Sequence, residues 1–143
     1  MRANAMPRIW AMVALACAAV VIGCEQPSNL PELGEVTGVV TLDGRPLASA
    51  DVMFFPNYAA KRSQAITDEN GRYELLYQRD IVKGAVVGHH TVAINKVVED
   101  PRMGHRQILS DRYWKDSTIR REVKAGKNVI NLALTSDPSL DSE

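Results

Sequence analysis

The sequence predicts an all-β protein, a seven-stranded antiparallel β-sandwich preceded by a signal peptide. Three observations predict it. Seven short stretches between residues 35 and 134 alternate apolar and polar residues with a period of two, which lines one face of a strand with apolar side chains. Turn-forming clusters such as Asp43-Gly44 and "DENG" (68–71) separate the stretches. No segment of that span sustains a helical period.

The chain begins with residues 1–23, read as a signal peptide. Arg2 and Arg8 make a positive start, and the 14 residues Ile9 to Ile22 carry no charge. A span of the hydrocarbon core needs about 20 apolar residues, so this run is short for a permanent helix and suits a signal core. Val21-Ile22-Gly23-Cys24 resembles a bacterial lipobox, in which a small residue precedes a cysteine that is acylated and becomes the first mature residue. The resemblance implies lipid on Cys24. Cys17, after Ala14-Leu15-Ala16, is the rival, with an apolar run of only eight residues before it. Two or three acyl chains hold a protein to a membrane where one does so marginally. Removing residues 1–23 leaves 15 basic and 17 acidic residues, a net charge of −2.

Residues 24–34 hold the cysteine and "EQPSNLPELG", a polar, proline-containing stretch read as a flexible tether. The domain is expected over 35–134. "EVTGVVTL" (35–42) puts Val36, Val40 and Leu42 on one face, and "ADVMFF" (50–55) groups Ala50, Val52 and Phe54 before Pro56. "SQAIT" (63–67) is a short strand, and "RYELLY" (72–77) aligns Tyr73, Leu75 and Tyr77. "HTVAINKV" (90–97) aligns Val92 and Ile94, and "IRREV" (119–123) leads through "KAGKN" (124–128) to "VINLAL" (129–134). Arg121 shares the parity of Ile119 and Val123, so either a bulge re-aims it or, the favoured reading, the strand lies at a sheet edge where the arginine head reaches water. The tail 135–143 is polar and acidic and is expected to fray.

"GVVTLDGRPLASADVMFFP", "TDENGRYEL" and "GAVVGHHTVAINK", followed by "LSDRYWKDST" and "VKAGKNVINLAL", occur in the order and spacing of a carboxypeptidase regulatory-like domain. The chain thus resembles bacterial lipoproteins built on that transthyretin-like (immunoglobulin-like) sandwich. The resemblance implies a non-enzymatic extracytoplasmic module of the cell envelope. The same fold class includes 5-hydroxyisourate hydrolase, whose chains end in Y-R-G-S. This chain ends Leu140-Asp141-Ser142-Glu143.

Composition excludes several classes. The formal net charge is zero, so no basic footprint points to nucleic acid. Two cysteines, Cys17 and Cys24, both near the N-terminus, offer no disulfide framework. No G-x-S-x-G elbow, phosphate loop or C-x-x-C occurs. His89 and His90 are strand neighbours that point to opposite faces, so they do not share an ion. His90 is expected to pack inward, and His105 sits in a long loop that could bring it near His89, although no ligand spacing supports a metal site there. Asp68-Glu69-Asn70-Gly71 supplies too few oxygen ligands for calcium and reads as a hairpin turn. We therefore expect no metal, no cofactor and no enzyme. A small hydrolase using His89, His90 or His105 is the least favoured reading.

The 21 residues Val98 to Thr118 read as one long connection, against a usual median of about 4–6. It holds Arg112, Tyr113 and Trp114, three residue types common at binding hot spots. Tyr113 could fold back to plug the core, while Trp114 could offer a ring to a glycan or a partner protein. The expected function is a membrane-anchored envelope lipoprotein with a structural or protein-interaction role. The alternative is a carbohydrate- or peptide-binding module, which aromatic residues on one sheet face would favour.

Overall fold

In the computed structural model the described residues are 30–78 and 81–137. The signal peptide, Cys24 and most of the tether lie outside them, as does the tail from Pro138 onward.

The chain forms two facing β-sheets that are not closed into a barrel. Strand β1 (Leu33–Leu42) is the spine of the first sheet. It turns at Asp43 and Gly44, both with positive φ (51° and 77°), into β2 (Arg45–Pro46). Positive φ at both central residues is what a two-residue hairpin of matching twist requires. The second sheet takes β3 (Asp51–Pro56), β4 (Ser63–Ile66) and, after the Asp68–Gly71 turn, part of the next strand. That strand changes sheets. Its first part, β5 (Arg72–Glu74), pairs with β1, and its second, β6 (Leu76–Tyr77), pairs with β4. Leu75, fully buried, is the crossing point.

The following strand crosses back the same way. β7 (Val82–Lys83) pairs with β6, and β8 (Ala85–Val86) pairs with β1. Strand β9 (Gly88–Asn95) lies between β3 and the later β12 (Arg120–Val123). The second sheet therefore has the order β12-β9-β3-β4-β6-β7, all antiparallel. β12 is outermost, and Arg121 is exposed there, as a charge of core parity at a sheet edge requires.

The last strands, β13 (Gly126–Val129) and β14 (Leu132–Leu134), return to β1 and run parallel to it. This departs locally from the all-antiparallel expectation. Parallel neighbours need a long crossover, and here the whole domain from β2 to β12 is the crossover. Gly38, at the middle of β1, makes the fit possible: a Cβ there would stand 1.9 Å from the Ile130 carbonyl oxygen.

The core is drawn from both sheets: Val36 and Val40 face Val52, Phe54, Val92 and Ile94, all fully buried. These are the residues whose parity predicted them. Three boundaries differ from expectation. β1 starts at Leu33, inside the expected tether. Thr135 to Asp137, expected to fray, are held: the Ser136 N–H and hydroxyl donate to Asp43 at 2.8 and 2.7 Å. These bonds hold the Asp43 carboxyl below its usual pKa, the backbone N–H contributing most. The connection 98–118 is not one loop. It contains a ribbon, β10 (Val97–Asp100) with β11 (Gly104–Gln107), and a 3-10 turn, Asp111–Tyr113. Strands of two to four residues show too little alternation to be read from sequence.

Candidate functional site

The segment after the ribbon closes one end of the sandwich. Leu109 and Tyr113 enter the core, each 6% exposed. The Tyr113 hydroxyl donates to the Thr135 carbonyl at 3.2 Å and accepts the Thr135 N–H at 3.0 Å. Arg112 lies against it, its guanidinium 4.7 Å from the Tyr113 ring centre, and Nη2 donates to the same carbonyl at 2.6 Å. Tyr113 is thus a hydrogen-bonded plug, and Arg112 braces it. Within this tight turn, Trp114 points elsewhere and stays half-buried at the surface.

The chain then joins the second sheet. The Ser117 hydroxyl donates to the Val92 carbonyl, and the Val92 N–H donates to Ile119 at 2.9 Å. This lays residues 117–119 along β9 and brings Trp114 to its outer face. There a recess of about 430 Å³ is lined by Phe55, Thr91, Ala93, Trp114, Lys115 and Ser117. Phe55 comes from β3, and Thr91, its register partner, from β9. Beside them the Arg62 guanidinium lies 5.8 Å from the Phe55 ring centre. Lys115 Nζ is 3.8 Å from an Asp111 oxygen, with both side chains largely exposed.

Of the three residues expected at a binding surface, Trp114 lines this recess, whereas Arg112 and Tyr113 are engaged at the plugged end. Sequence reading missed Phe55, Lys115 and Ser117. A signal existed: in "ADVMFF" Met53 and Phe55 are apolar at the outward parity, where a solvated face calls for polar residues. Cys24, the expected lipid site, lies outside the described residues.

The histidines are separated. His90 is 1% exposed, with Nδ1 3.0 Å from the Gly88 carbonyl and its ring 5.8 Å from Phe54. Burial pulls its pKa below the usual value. His89 is exposed on the outer face opposite Glu122, and His105 lies in the ribbon that follows the far end of β9. Among the described residues no group of three or more His, Cys, Asp or Glu could hold a metal ion, and no helix is long and apolar enough to cross a membrane. The Asp68–Gly71 segment is a turn closed on itself: Asp68 Oδ1 accepts the Asn70 and Arg72 N–H groups at 2.9 and 2.8 Å.

A larger groove of about 690 Å³ opens between the two sheets, lined by Val39, Arg72 and Val129 of the first and by Ala65, Ile66 and Leu76 of the second. Its aromatic residue, Tyr73, is buried and donates to the Ile130 carbonyl at 2.6 Å, so it presents no free ring.

The fold and the recess define a β-sandwich module with one plugged end and an aromatic-walled hollow on one sheet face. No family model and no curated protein matches the chain. Among solved structures it is similar to a DUF3823 family protein from Parabacteroides merdae ATCC 43184, at 12% identity and a TM-score of 0.41, over 74% of this chain and 47% of that one. It is also similar to a 9R-lipoxygenase from Cyanothece PCC8801, at 15% identity and a TM-score of 0.38, over 78% of this chain and 18% of that one. The chain thus spans about half the length of the first and under a fifth of the second. At such TM-scores neither likeness bears on function.

Proposed function

We propose that this chain is a lipid-anchored, non-catalytic β-sandwich on the extracytoplasmic side of a bacterial membrane, docking an envelope protein or glycan through the surface around Trp114. The observation that carries the docking is the recess itself. A sandwich turns its apolar faces inward, yet here Phe55 and Trp114 line a hollow on the outside. The anchor rests on the lipobox-like Val21-Ile22-Gly23-Cys24 and the polar stretch after it. The resemblance to carboxypeptidase regulatory-like domains supports the same setting. The separation of His89, His90 and His105 supports a binding role over hydrolysis.

Labelling cells with a palmitate analogue tests the anchor. Wild type should be marked and Cys24→Ser should not; loss in Cys17→Ser instead would move the site. Docking is tested by pull-down from detergent-solubilised envelope with the full lipoprotein as bait. Trp114→Ala should lose the partner while its melting point falls by no more than about 4 °C. Recovery undiminished by Trp114→Ala would refute docking at this surface.

A further inference from the structure

We infer that the recess between Phe55 and Trp114 binds an acidic sugar, a pyranose ring bearing a carboxylate, as found in uronic-acid glycans. This rests on the reading that the Trp114 surface is the docking site, and it names the ligand class.

Size sets the first limit. About 430 Å³ lies at the small end of the range of small-molecule sites, roughly 300–1,000 Å³. It suits a ring or two and not a folded surface.

The lining sets the second. Phe55 and Trp114 offer apolar ring faces, on which the C–H face of a pyranose can lie. Two hydroxyls stand beside them. Among the described residues the Thr91 hydroxyl makes one long bond, 3.3 Å to Asn57, so it remains open to exchange with a ligand hydroxyl. The Ser117 hydrogen is committed to the Val92 carbonyl and its oxygen already accepts the Ile119 N–H at 3.3 Å, which leaves one lone pair of that oxygen for a ligand hydroxyl. Apolar faces flanked by hydroxyl partners match the two-sided chemistry of a sugar.

Charge sets the third. Among the described residues no acidic side chain lines the recess, and Lys115 does. Arg62 stands by Phe55, and among the described residues it has no carboxylate within ion-pair distance. The Lys115–Asp111 contact at 3.8 Å is long and exposed, hence weak, so a ligand carboxylate can compete for the ammonium.

Backbone pairing argues against an acidic peptide. Extended peptides commonly bind by adding a strand to a free sheet edge. Here β9 is paired on both sides, with β12 and β3, and β3 is paired with β9 and β4. The recess therefore offers no open backbone ladder, and recognition falls to side chains.

Calorimetry on the full chain in detergent tests the inference with three probes of matched length: an oligogalacturonate, a neutral gluco-oligosaccharide and an oligoglutamate. The oligogalacturonate should bind at least tenfold more tightly than either of the others. Trp114→Ala and Phe55→Ala should each weaken it tenfold or more, with circular dichroism confirming the fold. Lys115→Gln, an exposed change that leaves folding intact, should shrink the advantage over the neutral sugar. Raising salt to about 0.5 M should do the same, because screening is then strong within a few ångström. Absence of oligogalacturonate binding, equal binding of the neutral sugar, equal binding of oligoglutamate, or binding unaffected by Trp114→Ala would each overturn the inference. A protein partner captured through Trp114 with no sugar bound would sink the acidic-sugar assignment alone and leave the docking surface standing.

Discussion

His90 sits inside the sandwich with one ring nitrogen bonded and the other bare. Nδ1 faces the Gly88 carbonyl and so carries the proton of the neutral ring, while Nε2 has no partner among the described residues. Desolvation disfavours the charged form, and the folded pKa lies below the ordinary 6.5. The unfolded chain therefore binds this proton at higher pH than the folded one. The neutral ring's contribution is complete above about 6.5 and is lost as pH falls from there through the depressed folded value. Chemical denaturation of wild type and His90→Leu across pH 5–8 should show a decline toward acid that is steeper in wild type; parallel curves would contradict it. Tyr113 and Trp114 give a second test at this scale. Tyr113→Ala empties a core plug and should cost about 3–5 kcal/mol. Tyr113→Phe removes the hydroxyl that bonds Thr135 and should cost about 1 kcal/mol. Trp114→Ala, at the surface, should cost no more than about 1 kcal/mol by thermal melting. A larger loss for Trp114 than for Tyr113 would reverse their assigned roles.

At the scale of elements, glycines and the ribbon separate local need from tertiary fit. Gly71 has φ +72°, and a Cβ there would meet the Val40 carbonyl oxygen at 2.5 Å; Gly44 has φ +77° with nothing within 4 Å. Gly44→Ala should cost about 1 kcal/mol from backbone strain alone. Gly71→Ala should cost clearly more, because β1 must move away from the turn. Equal melting points would show that the close approach does not matter. The β10–β11 ribbon pairs with neither main sheet, and Val97 and Met103 are 43% and 76% exposed. Two strands alone are marginal in water. Replacing residues 98–106 with a short Gly-Ser link should shift the melting point by less than about 4 °C, near the effect of 1 kcal/mol on a domain this size. A large drop would show that the ribbon supports the core.

For the whole molecule, the decisive feature is the return of the C-terminal segment to β1. Residues about 90 positions apart lie side by side in register, as with Gly34 and Gly126. Leu132 and Leu134, 1% and 4% exposed, complete the core there. A chain ending at Lys124 should therefore lose cooperative unfolding, since β1 would keep an open edge and the core an open side. Cooperative melting of that truncation near the wild-type temperature would contradict this account. The intact domain should melt at the same temperature with and without EDTA or reductant. Its core holds no cysteine, and both cysteines precede residue 25.

What the sequence determined by itself was local: the longer strands, their buried faces and the tight turns. The period-two alternation at Val36/Val40, Val52/Phe54 and Val92/Ile94 marked strands and their buried faces, because a strand's pleat converts parity directly into burial. Asp43-Gly44 and Asp68–Gly71 marked turns, because few residues adopt those angles. Arg121 marked an edge, because a charge of core parity needs water. Only the tertiary structure decided that β13 and β14 run parallel to β1, since alternation is the same in either direction. It alone decided the crossings at Leu75 and Gly84, where single strands serve two sheets. The candidate site divides in the same way. Trp114 was legible as an exposed-type residue in a long connection. Its meeting with Phe55 and Thr91 was not, because a recess assembled from three separate segments has no spacing along the chain.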